Sequence, residues 1–315
     1  MKPLLIAIVG PTAVGKTELS LELADRFQGE IVSGDSMQVY RHMDIGTAKA
    51  SLQERSGIRH HLIDLFNPDH SFSVREFQMR ATAAIEDIHY RGKQPLLVGG
   101  TGLYVNSVLY DYQFTEAPED LAYRESLEAL AREKGNQIVH DKLMAISPDI
   151  AAAIHPNNLR RVIRQLEVYR LTGTFTGGET DAYERQSPYT PLIFGLSLDR
   201  GKLYERINDR VDQMIDEGLI EEVASLLEMG YGESSAMKAI GYKEIIPYIH
   251  GDVTKNEAIE TLKKNSRRFA KRQFTWFRNK TDVSWFDLSE NREKKLHDMI
   301  GIVQEYQESI ANQMK

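Results

Sequence analysis

The feature that most restricts what this chain can fold into is the run Gly10-Pro11-Thr12-Ala13-Val14-Gly15-Lys16-Thr17. It lies between the apolar stretch Leu4–Val9 and a helix-like segment, Glu18–Phe27. A buried strand that stops at a glycine-bounded loop and resumes as a helix aims backbone N–H groups and the positive helix end at one point. That point suits a phosphate. Lys16 is then placed to neutralise a terminal phosphate, and the Thr17 hydroxyl to reach a magnesium ion. The loop is an ATP-binding-like motif, but any diphosphate or triphosphate fits it, so the reaction has to be read from the rest of the chain.

Up to about residue 110, short apolar runs alternate with amphipathic segments. Leu4–Val9, Glu30–Ser33 and Pro95–Val98 read as strands and Phe72–Arg91 as a helix. This pattern predicts an α/β fold: a P-loop NTPase-like core whose parallel sheet is flanked by helices. Strand signals then fade, and Ala122–Lys134, Gln137–Ile146 and Asn158–Leu171 read as successive helices. A strand returns at Leu192–Leu198, followed by helical stretches at Arg200–Gly218, Ile220–Met229, Ser235–Ile249 and Lys255–Lys280 and a polar tail from Glu290. The expected organisation is a catalytic core in two parts, 1–112 and 191–315, interrupted at 113–190 by an all-helical domain. Gly173–Gly178 and Ser187-Pro188 read as the return linker.

With 41% hydrophobic and 27% charged residues in 315, the chain is expected to be soluble and globular. No apolar run approaches the roughly 20 residues of a membrane helix, and the phosphate loop follows Leu4–Val9 at once, so no membrane partner and a cytoplasmic location are expected. The absence of cysteine excludes disulfides, thiolate zinc sites and a cysteine nucleophile.

A net charge of −7 argues against polyanion binding by the whole surface. One stretch stands apart: Lys263–Lys280 carries eight basic residues, no acidic ones and four aromatics. On a helix, Lys264, Arg267, Arg268, Lys271 and Arg272 share one face, with Phe269 and Trp276 on the other. Such a face either grips a phosphate backbone or is simply solvated, with its aromatics in the core.

Three further segments could carry chemistry. Ser33-Gly34-Asp35-Ser36-Met37-Gln38 ends the second strand, and strand carboxyl ends face the ligand crevice in a doubly wound sheet. Asp35 there can ligate magnesium, accept a proton or close an Asx turn. Val98-Gly99-Gly100-Thr101-Gly102 ends the next strand with a hydroxyl and no acidic residue. Arg206 and Arg210, at i and i+4, can clamp a departing phosphate or pair with Asp199, Glu205, Asp209 or Asp212. His60-His61 offers no third metal ligand and reads as structural.

Together GPTAVGKT, SGDSMQVYR, the MDIGTAK of Met43–Lys49, VGGTGLY, the MKAIGYKE of Met237–Glu244 and the KRQFTWFR of Lys271–Arg278 resemble the bacterial tRNA dimethylallyltransferases, the tRNA isopentenyltransferase family. The resemblance covers nearly the whole chain in order. It implies transfer of a dimethylallyl group from dimethylallyl diphosphate to N6 of the adenine 3′ to the anticodon (position 37) of tRNAs, with Mg2+ as cofactor. By motif, it implies Asp35 as the base that takes the N6 proton. Gly10, Pro11, Thr12, Ala13, Val14, Gly15, Lys16 and Thr17 would hold the diphosphate with Arg210 and, less centrally, Arg206, Thr17 being the metal ligand. Thr12 and Thr101 would line the channel where the substrates meet. Asp35, Ser36, Met37 and Gln38 would read the base. Arg124 and the run Leu159, Arg160, Arg161, Val162, Ile163, Arg164 would bind the anticodon stem-loop, together with Lys271, Arg272 and Arg278. A monomer is expected. The competing readings are a P-loop small-molecule kinase, which leaves the basic helix unexplained, a free-adenylate prenyltransferase, which has no need of the insertion, and a non-catalytic RNA-binding protein.

Overall fold

In the computed structural model, which describes residues 2–55, 57–114, 118–175 and 186–313, β1 (Leu4–Val9) leads through the phosphate loop into α1 (Lys16–Arg26). Then come β2 (Gly29–Ser33), β3 (His60–His61), α2 (Val74–Tyr90), β4 (Gln94–Gly99) and α3 (Gly102–Leu109). Four helices follow: α4 (Leu121–Lys134), α5 (Asn136–Ile146), α6 (Pro148–Ala152) and α7 (Leu159–Thr172). The chain then returns through β5 (Thr190–Ser197), α8 (Arg200–Asp216), α9 (Leu219–Glu228), α10 (Ile246–Ile249), α11 (Lys255–Lys280), β6 (Ser284–Asp287) and α12 (Arg292–Gln313).

All six strands are parallel, in the order β3-β2-β4-β1-β5-β6. β1 lies between β4 and β5, so the strand order reverses at its carboxyl end, where the phosphate loop begins. All six β1 residues are buried, as a central parallel strand covered on both faces requires. Successive side chains enter opposite cores. Leu4, Ile6 and Ile8 pack with Leu19 and Leu23 of α1, Leu203 and Ile207 of α8 and Met299 and Val303 of α12. Leu5, Ala7 and Val9 pack with Phe77, Ala81 and Ile85 of α2 and with Phe277 of α11. Each of these side chains larger than alanine contributes about 1.5–3 kcal/mol.

Local signals set the helix starts. Thr254 and Glu257 form a reciprocal capping box on α11. Asp199 caps α8, accepting from the N–H groups of Gly201 (2.8 Å) and Lys202 (3.2 Å).

The chain divides into two units: Met1–Asp111 with Ala182–Lys315, and Tyr112–Asp181. The second unit packs α4, α5 and α7 around Leu127, Val139, Leu143, Val162 and Leu166. Among the described residues no helix is long and apolar enough to cross a membrane.

Two expectations fail. The single helix read over Ser235–Ile249 is a 3-10 turn at Ala236–Lys238 followed, beyond a bend, by the short α10, because Gly241 at φ +106 and Pro247 break the run. The polar tail from Glu290 is instead the long helix α12, preceded by the unforeseen edge strand β6. Of the linker, Gly173 ends α7 in the left-handed conformation, and Gly177 and Gly178 lie outside the described residues. His61 hydrogen-bonds buried Glu30 (2.7 Å), and His60 the Ile58 carbonyl (2.9 Å), both within the structural frame.

Candidate active site

The phosphate loop folds its own cation inward. Lys16 Nζ donates to the carbonyls of Gly10 (3.0 Å) and Pro11 (2.7 Å). Burial, then the nearby Arg210 guanidinium, pull the Lys16 ammonium down to about 7, with Asp35 acting in the opposite sense. Burial likewise lowers Arg210, again opposed by Asp35. Two cations and one carboxylate therefore share a poorly solvated space, and an anion arriving there relieves the cation repulsion.

Thr12 sits between them. Its hydroxyl accepts from Arg210 Nη1 (3.3 Å), and its backbone N–H donates to Gln273 Oε1 (2.9 Å). Gln273 Nε2 in turn donates to the Gly100 carbonyl (3.0 Å), so one buried amide on α11 ties the phosphate loop to the turn that carries Thr101. A Cβ on Gly100 would collide with that amide, which is why a glycine stands there. Thr101 Oγ1 accepts the N–H of Ser36 (3.3 Å), and Asp35 Oδ1 accepts the N–H of Met37 (2.8 Å) in an Asx turn that aims the carboxylate.

These groups open onto one cavity of about 330 Å³ whose lining includes Thr12, Asp35, Ser36, Met37, Thr101 and Arg210. Gln38 is not in the lining: it accepts from the Ser33 hydroxyl (2.9 Å) and donates to the Thr47 carbonyl (3.3 Å), holding the loop behind the wall. Arg206 is exposed and outside the lining. The α8 stripe that faces the cavity is Ile207, Arg210, Val211 and Met214, and position 206 falls on the solvent side of it. Thr17 is exposed at the mouth of the loop.

The opposite wall is built around Glu222, which sequence reasoning missed. Its carboxylate accepts the N–H groups of Asp44 (2.9 Å), Ile45 (2.8 Å) and Gly46 (3.1 Å) and the Tyr242 hydroxyl (2.7 Å). Two of the quoted motifs, MDIGTAK and MKAIGYKE, are thus fastened together by one side chain. Tyr242 lies so close to Gly46 that a Cβ there would strike its ring. Burial, then Glu222, push the Tyr242 phenol up, keeping it a donor.

On α11 the basic face is real but differently composed. Lys264, Arg268, Lys271, Arg272 and Arg278 are exposed, whereas Arg267 turns inward to Asn208. Phe269 and Trp276 are not on a separate buried face. Arg272 lies over the Phe269 ring (5.7 Å), Phe269 lines the cavity, and Trp276 lines a groove with Arg268, Lys271 and Arg272. Aromatic rings beside guanidinium groups suit stacked bases as well as phosphates.

In the helical unit, Glu167 is fully buried and takes Arg124 Nε (2.7 Å), Arg164 Nη1 (2.5 Å) and the Asp120 N–H (2.8 Å). Arg124 and Arg164 are therefore tied into the fold. Arg160 is exposed, Arg161 half-buried and Leu159 packed at the core's edge. The side chains of Val162 and Ile163 lie in the core, since their helical positions face α4 and α5, and are not available as RNA contacts.

A parallel sheet whose phosphate loop sits at the strand-order reversal and opens on a carboxylate, two threonines and two cations defines the P-loop class of group-transfer fold. The family model for IPP transferase matches residues 38–280, and the chain belongs to that family. It is 55% identical over 291 residues to a tRNA dimethylallyltransferase of Halalkalibacterium halodurans, covering 92% of this chain and 93% of the relative. A tRNA dimethylallyltransferase of Oceanobacillus iheyensis is 50% identical over 310 residues, with 97% and 99% covered. Among solved structures, the full-length tRNA isopentenylpyrophosphate transferase of Bacillus halodurans superposes with a TM-score of 0.76 at 51% identity, covering 99% of each chain. A eukaryotic dimethylallyltransferase acting on tRNA gives 0.77 at 32% identity, covering 91% of this chain and 74% of the other.

Proposed function

We propose that this chain transfers a dimethylallyl group from dimethylallyl diphosphate to the exocyclic N6 of adenine 37, next to the anticodon of tRNAs, and releases diphosphate. The observation that carries this reading is the convergence of Thr12, Asp35, Thr101 and Arg210 on one cavity beside the phosphate loop. Lys16, Arg210 and the loop N–H groups hold the leaving diphosphate as the bond from its oxygen to the allylic C1 breaks. N6 attacks C1, and its proton, acidic only as the new bond forms, passes to Asp35. The adenine leaves the loop stack to enter the cavity, least costly in a single strand. The exposed cations of α11 hold the RNA backbone.

Magnesium fits this donor set. Among the described residues no cluster of three or more His, Asp or Glu could hold a metal. Mg2+ commonly takes one protein oxygen with substrate phosphates and waters. Thr17 would supply that oxygen, and the ion would screen charge on the diphosphate. A cytoplasmic enzyme acting as a monomer completes this reading, and the relatives' names as tRNA-modifying enzymes agree with the location.

The test is to incubate the protein with Mg2+, an anticodon stem-loop and dimethylallyl diphosphate and weigh the RNA. A five-carbon gain that disappears when ATP replaces the donor is the expected result. A gain on free AMP alone, or none on either, overturns the reading.

A further inference from the structure

Beside Thr12, Asp35, Thr101 and Arg210, the cavity lining carries Lys238, Lys243 and a patch of aliphatic side chains that no step of the transfer uses. That patch lies on the same stripe of α8 as Arg210. Met214 follows Arg210 by four residues, about 6 Å along the helix axis at 1.5 Å per residue. Opposite stands Leu262 of α11. The two helices run antiparallel in a register set by Lys263–Asp212 (2.8 Å) and Arg267–Asn208, which brings Leu262 level with Met214. Ile240 completes the wall. Behind it, Val211 and Leu262 are 3% and 1% exposed in a packed cluster against which Met214 and Ile240 lie, so this wall is backed by core.

The distance matters. About one helical turn separates Arg210 from Met214, a length that matches one isoprene unit and falls short of two. Met is the side chain that fills such a gap without being locked into it, and it is only half-buried here.

We infer that Met214 is the length gauge of the prenyl donor, standing in the apolar wall of the cavity so that a five-carbon allylic diphosphate reacts and a ten-carbon one is excluded. This rests on the transferase reading. The reaction itself is unchanged: the bond from the diphosphate oxygen to C1 breaks, the C1–N6 bond forms, and the N6 proton goes to Asp35. Only the length of the group transferred is set by residue 214.

The experiment measures kcat/KM for dimethylallyl and geranyl diphosphates with an anticodon stem-loop, in the wild type and in Met214→Ala, Met214→Leu and Met214→Phe. Met214→Ala is expected to raise the ratio of ten-carbon to five-carbon transfer by at least about tenfold, the scale on which apolar pockets discriminate chain length. Met214→Leu, of similar volume, keeps the wild-type ratio. Met214→Phe, which fills the space further, raises KM for dimethylallyl diphosphate while inhibition by inorganic diphosphate stays at the wild-type level. A folded Met214→Ala with an unchanged ratio overturns the gauge. Should Met214→Ala fail to fold, an unchanged KM in Met214→Phe overturns it equally. A wild type that transfers nothing from dimethylallyl diphosphate overturns instead the activity on which the inference stands, so the two failures are separable.

Discussion

Gln273 and Thr12, 261 positions apart, are joined by a hydrogen bond of 2.9 Å between a side-chain amide and a backbone N–H. The same amide donates to Gly100, so the phosphate loop and the Thr101 turn are spaced by one planar group on the helix that carries the basic face. A P-loop N–H normally points at phosphate; here one is committed to protein, which fixes Thr12 rather than the ligand.

Gln273→Ala removes that spacer and leaves a donor and an acceptor unpaired. Turnover is expected to fall about 10- to 100-fold, the effect of misplacing reacting groups by about 1 Å. Stem-loop affinity, carried by exposed cations, stays within about twofold. Rapid-quench turnover with a binding titration checks it, and a parallel loss of both would assign Gln273 to folding alone.

For Asp35→Asn, the Asx turn keeps an acceptor while the base is lost. Prenyl transfer drops by about 10² to 10⁴, the contribution typical of a positioned base, with RNA binding preserved. Unimpaired transfer would remove Asp35 from the proton path.

Lys16 gives a pH dependence with a definite sign. Its ammonium is pulled down to about 7 in the empty site, so from pH 7 upward it is increasingly neutral. An incoming diphosphate favours the charged form, so binding near pH 8 takes up a proton, and affinity falls as pH rises above 7. Calorimetry in two buffers of different ionisation enthalpy reads the uptake. Lys16→Met is expected to abolish it.

The Glu222 cluster predicts an order among variants. Tyr242→Phe removes one of four donors and costs about 1–3 kcal/mol; Glu222→Ala strands three backbone N–H groups as well and costs more. Denaturant titration ranks them, and the reverse order would contradict the geometry.

Arg124→Ala separates fold from RNA contact. Burial works to raise the Glu167 carboxyl, and the Arg124 and Arg164 hydrogen bonds overcome it, holding it below the ordinary 4.5. Its pairing therefore stabilises the folded state at neutral pH, and that contribution fades as pH falls below about 4.5. Losing Arg124 costs about 3 kcal/mol, the low end for a broken buried pair because Arg164 remains. Thermal unfolding detects this. A weaker RNA affinity at unchanged stability would make Arg124 an RNA ligand instead.

The elements visible in the sequence were those with a strong local pattern: the six-residue apolar run of β1, the capped amphipathic α2 and α11, and a phosphate loop legible from eight residues. β6 and α12 were hidden because β6 is four residues long and α12 buries few of its side chains, Met299 and Val303 among them, in a largely polar run. At the site, Asp35, Thr12 and Thr101 were readable because strand ends face the crevice. Gln273 and Glu222 were not, because the partners of Gln273 and all but the Tyr242 hydroxyl among those of Glu222 are backbone groups that any residue could supply, more than 170 positions away. The run Leu159–Arg164 was read as one patch, although helical geometry sends Val162 and Ile163 inward.

The bond from Gln273 to Thr12 also imposes an order in time. The phosphate loop is translated 261 positions before the amide that completes its conformation, which lies on a helix packed against α8. A nascent or truncated chain that stops before α11 therefore has the loop without the site. It cannot hold an allylic diphosphate in reach of a nucleophile until α11 has been made and has docked.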